Sequence, residues 1–320
     1  MPSPNSAAPM SFCLTPDEVV RRLRHLPSAP RVLPRLKTLL TDTNSSMAEV
    51  VGLIRLDPGI AARVLQIGNS AYYSHGSRCY TVDEAVNRVG YDEIFALVAT
   101  AVASQVLVRP LASYGIDADE LWHNSVACAL AAEILADRLQ IDRDIAYTIG
   151  LLHAVGKVAI DEWAFAQQQA ITFSSCTLPL ESCADERVVL GFHNGEAGAA
   201  LLRMWEFPPV MSEPVRWQYL PRGTVAHFQF AGVLHVAKWL RTAVCRREAP
   251  ATLPEAALMR ALNLTSADLT AMTEAVAARF EEVNSMLEAG LPDTSVVNFP
   301  NGGREIPGHA VKRNFIDRYA

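Results

Sequence analysis

The apolar residues of this chain recur with the period of an α-helix, and this spacing constrains the fold more than any other feature. Between Met47 and Ile54 they occupy positions i, i+3, i+4 and i+7, which form one face of a helix. No alternating run of β-branched residues bounded by hairpin turns competes with that pattern. The sequence therefore predicts an all-α fold with short loops between packed helices. Further helices are predicted over roughly 31–42, 59–68, 91–108, 119–139, 143–154, 194–206, 209–219, 224–243 and 266–289.

Several of these helices begin at capping boxes, in which a serine or threonine is followed three residues later by glutamate. The hydroxyl oxygen accepts a backbone N–H of the first turn, and the carboxylate reaches back to the N–H of the cap residue. The three occurrences are Ser46 with Glu49, Thr15 with Glu18, and Thr81 with Glu84. Each predicts the first residue of a helix.

The length of the chain suggests about two domains. Its 320 residues are 50% hydrophobic, which is enough apolar surface for one large core or two modest ones. The loop from Pro110 to Asp119 interrupts two long predicted helices and marks a boundary. We therefore expect a helical subdomain over 15–110 and a helical domain over 118–290, which could share one core. Residues 1–14 and 291–320 lack a periodic apolar face and are expected to be a disordered N-terminus and a flexible tail.

Charge and hydropathy narrow the classes of function. The net charge of -6 argues against a general nucleic-acid binder, which needs a positive surface field. Residues 1–10 do not resemble a signal peptide, and the longest apolar stretch, 94–108, contains polar residues and is too short to span a bilayer. We expect a soluble, cytoplasmic protein with no membrane contact.

One basic stretch stands out near the N-terminus. Its residues are Arg21, Arg22, Arg24, Arg31, Arg35 and Lys37. A solvated helix face is the favoured interpretation, while docking to an acidic partner, to a phosphorylated ligand or to nucleic acid stays open.

The sequence holds no recognisable catalytic motif of another kind. It has no GxSxG elbow, phosphate-binding P-loop, GxGxxG fingerprint or HExxH pair. Its six cysteines are scattered without a CxxC pair, which favours buried or half-buried free thiols in a reducing compartment over a zinc site. Cys128 lies among alanines in a predicted helix and is not a candidate nucleophile.

Three segments are distinctive in order and spacing. The segment from Ile54 to Tyr73 contains Asp57-Pro58 and, about ten residues later, Asn69-Ser70-Ala71. The second is Leu-Trp-His-Asn-Ser from residue 121, followed by an alanine-rich helix, and the third is Gly-Leu-Leu-His-Ala-Val-Gly-Lys from residue 150. Together they resemble the HDOD family, the HD-related output domain of bacterial signal transduction, over about residues 20–290. The resemblance implies an HD-like helical bundle with an N-terminal helical subdomain packed against it.

The motif residues also have plain structural interpretations. Asp57 and Pro58 predict a helix junction, because proline cannot continue a helix but can begin one. Asn69, followed by Ser70, lies where a helix should end, and asparagine tolerates a left-handed conformation there. We favour a structural role for Asn69 over a ligand contact, and a core position for Trp122.

The third segment has a similar plain interpretation. Gly156 would provide the tight stop after a helix that ends near residue 154. Lys157 would interact with the last-turn carbonyl groups of that helix.

The resemblance raises the question of a metal site, because active HD proteins bind one or two metal ions. Their ligands are a histidine on an early helix, an adjacent His-Asp pair, a late aspartate and, in some branches, further histidines; the carboxylates anchor the cation and help to polarise the attacking water. The matching positions, which we call the relic HD cleft, hold Asn124, His153, Ala154, His193, Gln218 and Lys238. His123 precedes Asn124 but is rotated by roughly 100° on the helix and should face elsewhere.

This donor set predicts that the metal site is lost. Alanine at position 154 offers no ligand, and the ammonium group of Lys238 would repel a cation. His153 and His193 remain, with His227 or His235 as substitutes if the alignment shifts. We expect His153 to be a satisfied core histidine, no bound metal or cofactor, and no catalytic residue.

The sequence as a whole favours a non-catalytic output or scaffold module that acts through protein–protein contacts. The expected mechanism is a population shift in which an input changes the packing of one helical bundle against the other. The resemblance implies partners among two-component or cyclic-dinucleotide signalling proteins. The alternatives are a module that binds a nucleotide or second messenger in the relic HD cleft and, behind it, a residual metal-dependent phosphohydrolase.

Overall fold

The computed structural model of the chain describes most of residues 14–288. The described ranges are 14–21, 46–70, 73–74, 76–90, 110–173, 184–219, 226–246 and 252–288, with the single residues Val32, Arg35, Leu39, Ile94, Pro221 and Pro250. Most of the predicted helices over 31–42 and 91–108, nearly all of both chain ends, and four residues of the basic stretch lie outside this set. So do Cys13, Cys176 and Cys183.

The fold is all-α, as the sequence predicts. In chain order the helices are α1 (Pro16–Val20), α2 (Met47–Arg55), α3 (Pro58–Gly68), α4 (Val82–Val89), α5 (Ala118–Leu139), α6 (Arg143–Leu152), α7 (Val155–Ala166), α8 (Ala184–Leu190), α9 (Asn194–Met204), α10 (Pro209–Arg216), α11 (Phe228–Arg246), α12 (Ala256–Ala261) and α13 (Ser266–Glu288). A 3₁₀ turn spans Ala112–Tyr114. The described residues contain no β-strand, only an isolated bridge between Leu111 and Ile116.

The predicted capping boxes all form and set the first residues of α1, α2 and α4. At Ser46 the backbone N–H donates to the Glu49 carboxylate at 2.7 Å, and the Glu49 N–H donates to the Ser46 hydroxyl at 3.3 Å. Asp57 caps α3 by accepting the N–H of Ile60 at 2.9 Å. Proline at the first position of α3 suits this start, because that N–H would have no helical partner.

The long helix α5 is the centre of the bundle. It packs against α6, α11 and α13. Helices α7 and α9 pack against each other, and α1 contacts both of them. Close approach of α5 and α6 depends on small side chains: a Cβ atom on Gly150 would lie 2.7 Å from the Cα atom of Ala129. The alanine-rich sequence of α5 therefore fits a helix that is surrounded by others.

The helices α2, α3 and α4 pack together and join the bundle at the α2–α3 junction. The Trp122 indole of α5 donates to the carbonyl oxygen of Leu56 at 2.9 Å, and the Tyr147 hydroxyl of α6 donates to that of Arg55 at the same distance. The described residues before Gly290 belong to one compact unit. The boundary near residues 110–118 stays a prediction.

Two local expectations are wrong. The predicted helix over 143–154 ends at Leu152, and Gly156 does not stop it: α7 begins at Val155, so Gly156 lies in its first turn. Asn69 ends α3 in a right-handed conformation with φ of -94°, not a left-handed one. The helices α7, α8 and α12 were not predicted. Within the described ranges, no helix combines the length and apolarity that crossing a bilayer requires.

Candidate functional site

A cleft opens where α5, α9 and α11 meet the junction between α6 and α7. Its polar lining consists of Asn124, His153, Lys157, Asn194, Tyr219, Lys238 and Arg241. Ile116, Leu121 and Ala154 add apolar surface. Four of the six residues assigned to the relic HD cleft therefore line one opening. The other two, His193 and Gln218, are buried and contact lining residues.

His153 ends α6 and is buried, with 3% of its surface exposed. Its Nδ1 atom lies 2.7 Å from the carbonyl oxygen of Gly150, and a carbonyl can only accept, so Nδ1 carries the proton. The other ring nitrogen, Nε2, then accepts a hydrogen bond from Nη1 of Arg241 at 3.0 Å. Burial, together with the charges of Arg241 and Lys238, holds the pKa of His153 well below its usual value. The ring is therefore neutral.

This geometry uses the lone pair that a metal ion would need. A histidine ligates a cation through an unprotonated nitrogen. In His153 that nitrogen faces the guanidinium group of Arg241, which is itself 8% exposed. The side chain that the resemblance would make a metal ligand instead accepts a hydrogen bond from a fixed protein cation.

Lys238 of α11 brings a second cation to the cleft. The residue is 2% exposed, and its ammonium nitrogen donates to Oε1 of Gln218 at 2.9 Å and lies 3.4 Å from the centroid of the Tyr219 ring. A hydrogen bond and an aromatic face both stabilise a buried ammonium group. The Gln218 amide nitrogen in turn donates to the carbonyl oxygen of His153 at 3.1 Å. Gln218 thus positions Lys238 beside His153.

Asn194, the first residue of α9, connects the cleft to a buried carboxylate. Its backbone N–H donates to Glu186 at 2.6 Å, and its amide nitrogen donates to both carboxylate oxygens at 2.9 Å. The Tyr114 hydroxyl donates to the same carboxylate at 2.7 Å. On the cleft side, the Tyr219 hydroxyl donates to Oδ1 of Asn194 at 3.0 Å. Glu186 therefore orders the wall of the cleft without being part of its lining.

His193 caps helix α9 in the structure. Its Nδ1 atom accepts the backbone N–H groups of Gly195 at 3.1 Å and Glu196 at 3.3 Å. Burial lowers the pKa of His193 to about 4, although the nearby Glu196 carboxylate acts in the opposite direction. The Nδ1 lone pair is engaged in the cap, and the ring lies edge-on to Tyr219 at 5.3 Å between centroids.

The positions of the remaining predicted cleft residues depend on which face of a helix they occupy. Asn124 lines the cleft, whereas His123 packs edge-on against Phe280 at 5.6 Å between ring centroids. Ala154 precedes α7 without a side-chain cap, at the place where the resemblance would put an aspartate. Lys157 lines the cleft, and its ammonium nitrogen lies 5.2 Å from the centroid of the Tyr114 ring.

The other motif residues lie in the frame of the fold. Asn69 is fully buried and clasps the backbone of Cys79: its Oδ1 accepts that N–H at 2.7 Å, and its amide nitrogen donates to that carbonyl at 3.1 Å. The Ser70 hydroxyl donates to the carbonyl oxygen of Ile67 at 2.7 Å. Asp57 and Trp122 are buried at the α2–α3 junction and in the core. These contacts agree with the structural roles that the sequence predicts for them.

The side chains of the cleft do not fit a divalent metal ion. In the part of the chain that the structure describes, no three His, Cys, Asp or Glu side chains converge on one point. The cleft presents amide, phenol, imidazole, ammonium and guanidinium groups and, among its described lining residues, no carboxylate, whereas hard cations are held by carboxylates. Cys128 offers no substitute chemistry, because burial raises the pKa of its thiol to about 12.

Sequence reasoning missed Arg241 and Glu186. Arg241 could have been found, because it follows Lys238 at i+3 on α11 and must share its face. Glu186 carried no such signal, since its partners Tyr114 and Asn194 lie 72 and eight residues away along the chain. Its burial becomes apparent only when these partners meet it in the folded chain.

A family model described as HDOD domain matches residues 26–221. An uncharacterized protein of Treponema pallidum (strain Nichols) is 24% identical over 203 residues, which cover 63% of this chain. That match spans only 39% of the relative, so the chain corresponds to about two fifths of its length.

Two solved structures share the fold at low sequence identity. The response regulator MmoQ from Methylococcus capsulatus str. Bath has a TM-score of 0.60 and 21% identity, with 79% of this chain and 99% of that chain covered. A virulence factor from Campylobacter jejuni subsp. jejuni has a TM-score of 0.59 and 17% identity, with 83% and 96% covered. At these identities the likeness concerns the arrangement of helices.

Proposed function

The chain belongs to the HDOD domain family, and from that premise we propose that it is a non-catalytic signalling module of the cytoplasm that acts through contacts with other proteins. Its partners are components of two-component or cyclic-dinucleotide pathways. The upstream signal changes the packing of α2–α4 against the α5–α6 side of the bundle, and the changed surface is what the partner recognises. The name of MmoQ, a response regulator, agrees with this class of partner.

The observation that carries the non-catalytic part is the pairing of Arg241 with His153. Hydrolysis in the HD superfamily needs a metal ion that activates water. Here a guanidinium group donates to Nε2 of His153 at 3.0 Å, and Lys238 stands where the resemblance would place the late aspartate. Two fixed positive charges therefore occupy the region where a cation would have to bind, and like charges repel strongly where water is scarce.

The contact between α2–α4 and the bundle supports a two-state mechanism. Two hydrogen bonds, from Trp122 and Tyr147, reach the carbonyl groups of Leu56 and Arg55 at the α2–α3 junction. Arg55 also lies within 4 Å of carboxylates on three other helices, at 3.5 Å from Asp144. A few polar contacts in one place can be exchanged together, which is what a population shift requires.

Metal content and turnover test the non-catalytic part. The purified full chain is incubated with Mn²⁺ or Fe²⁺, dialysed and analysed for bound metal, then assayed on a phosphomonoester and a phosphodiester beside an active HD hydrolase. We expect far less than one metal ion per chain and no turnover above buffer. Stoichiometric metal together with turnover that a chelator abolishes would contradict the proposal.

Partner capture tests the signalling part. The tagged full chain is expressed in its natural host, cross-linked and purified, and the co-purifying proteins are identified by mass spectrometry against an unrelated tagged helical protein. We expect enrichment of a two-component or cyclic-dinucleotide protein, and a complex that re-forms from the purified components. Failure of the purified pair to associate would exclude that partner, and recovery of nothing beyond the control would sink the docking mechanism.

A further inference from the structure

The lining of the cleft is positively charged, whereas a site for a metal cation would be lined by negatively charged groups. Three of its lining residues, Lys157, Lys238 and Arg241, are cationic, and none of its described lining residues is acidic. The whole chain carries a net charge of -6, so this positive lining is a local feature. Charged clefts with low-dielectric walls concentrate ions of the opposite sign.

The guanidinium group of Arg241 has a buried hydrogen-bond donor without an acceptor among the described residues, which is a second, independent observation. The residue is 8% exposed, and only its Nη1 donor is directed to His153. Its Nε atom is buried and, among the described residues, has no hydrogen-bond partner. A buried donor without an acceptor costs free energy, and one on a charged group costs more. An anion bound beside the guanidinium group would offset part of the cost of burying its charge.

The three cations act on the same small region. All of them lower the pKa of His153, after the larger effect of burial. Lys157 and Arg241 also act on the carboxyl group of Glu120, which does not line the cleft. Fixed positive charges that converge on one space raise the free energy of the empty cleft, and an anion between them lowers it.

We propose that the cleft binds a phosphoryl anion between Arg241, Lys238 and Lys157. A guanidinium fork matches phosphate oxygens, and an ammonium group acts on them as a point charge. Asn124 adds an amide donor at the edge of the site. No metal ion or bond cleavage is involved. The site goes beyond the docking function proposed above and does not depend on it.

Binding of inorganic phosphate is the primary test. Calorimetry and thermal unfolding of the full chain are run in sodium phosphate and in sodium chloride at equal ionic strength, with EDTA present. We expect phosphate to bind and to raise Tm, because a ligand of the folded state alone stabilises it. A nucleoside 5′-monophosphate forms a second arm. If the nucleoside monophosphate binds more tightly than inorganic phosphate, the natural ligand is a nucleotide. If it binds equally or more weakly, the natural ligand is free phosphate.

Substitutions locate the site. Lys157→Gln removes one cation at a half-buried position and should weaken phosphate binding about tenfold or more, since a hydrogen bond to a charged group is lost. Arg241→Gln should weaken it at least as much. Arg203→Gln, at a half-exposed position outside the cleft, is the matched control and should bind like the wild type. If Arg241→Gln fails to fold, Lys157→Gln decides alone.

Two outcomes would overturn the inference. One is an equal Tm in phosphate and chloride with no heat of binding in the wild type. The other is binding that needs added Mn²⁺ or that survives unchanged in Lys157→Gln. Neither outcome bears on partner capture, so a failure of this site and a failure of the docking proposal remain distinguishable.

Discussion

Gly156 lies where two helices of the bundle come into backbone contact. A Cβ atom at this position would collide with the carbonyl oxygen of Asn194 and would lie 2.6 Å from the backbone nitrogen of Gly198. Both obstacles are backbone atoms of α9, which cannot rotate away as a side chain could. Because Asn194 also lines the cleft, the absence of this one atom sets the position of a cleft wall.

A pair of glycine substitutions tests this contact. Gly156→Ala should lower the free energy of unfolding by about 3 kcal/mol, the upper end for overpacking, because backbone has to move. Gly52→Ala in α2 is the matched control: its Cβ would meet no atom within 4 Å, so we expect a gain of about 0.5–1 kcal/mol. Urea unfolding followed by circular dichroism measures both. A Gly156→Ala variant as stable as the wild type would refute the packing argument.

Three buried histidines should make the stability of the fold depend on pH. Burial lowers the pKa of His193 and His235 to about 4, and that of His153 well below its usual 6.5. As the pH falls, the histidines of the unfolded chain are protonated before those of the folded chain. The free energy of unfolding should therefore fall as the pH drops from 6.5 towards 4, and these histidines should have no effect on it above pH 6.5.

His235→Asn removes one of these groups while retaining a donor side chain for the carbonyl oxygen of Gln218. Between pH 6.5 and pH 4 the free energy of unfolding of this variant should fall less than that of the wild type. The difference between the two losses should be on the order of 3 kcal/mol. His227→Asn, at an exposed position, is the control and should follow the wild type. Urea unfolding at half-unit pH intervals measures the slopes, and identical slopes for His235→Asn and wild type would contradict the assignment.

At the scale of the element, helix α3 is fixed at both ends by buried side chains. Asp57 accepts the Ile60 N–H at its start, and Asn69 at its end bonds both backbone groups of Cys79, ten residues later. Water cannot replace these partners, because both side chains are 0% exposed. The two residues therefore define α3 and tie it to the segment that leads into α4.

The burial of a cap should decide how much it stabilises. Asp57→Ala leaves a buried N–H without its acceptor and should cost about 2 kcal/mol. Ser46→Ala removes a solvent-exposed cap, where water can substitute, and should cost about 1 kcal/mol or less. Asp57→Asn keeps an acceptor oxygen and should recover part of the loss. Chemical unfolding measures all three, and equal losses at the two caps would show that burial does not matter here.

At the scale of the whole molecule, Arg55 joins four helices. Its guanidinium group lies 3.8 Å from Asp83 of α4, 3.6 Å from Glu133 of α5 and 3.5 Å from Asp144 of α6. It also lies 4.7 Å from the centroid of the Tyr147 ring. Because Arg55 is the last residue of α2, the attachment of α2–α4 to the bundle depends on this region.

Hydrogen exchange tests whether this attachment can loosen separately. Tyr147→Phe removes the hydrogen bond to the Arg55 carbonyl oxygen and should speed amide exchange in α2–α4 about fivefold, which corresponds to about 1 kcal/mol. Tyr114→Phe is the matched control, because its hydroxyl bonds Glu186 and its effect should appear in α8 and α9. Uniform acceleration over all helices in Tyr147→Phe would indicate that the bundle opens as one unit, contrary to the two-state mechanism.

The sequence by itself determined the helices whose signals are local. Ser46 with Glu49, and Asp57 with Pro58, act over three or four residues, a distance that helix geometry fixes before any packing occurs. That Ala154 stands where the resemblance would place a carboxylate can also be stated from the sequence alone. Helix α7 was missed because Gly156 is a stop signal by local rules, whereas in the structure it is required by a neighbouring helix.

Only the tertiary structure decided which side chains meet where the resemblance would place metal ligands. Arg241 and His153 are 88 residues apart, and Nη1 reaches Nε2 only when α11 packs against α6. The capping role of His193 likewise depends on the backbone conformation at the start of α9, which the sequence analysis did not predict. Local spacing determines where helices begin because it is set by covalent geometry; which side chains meet in a cleft depends on how helix faces pack, and that is decided by the whole core.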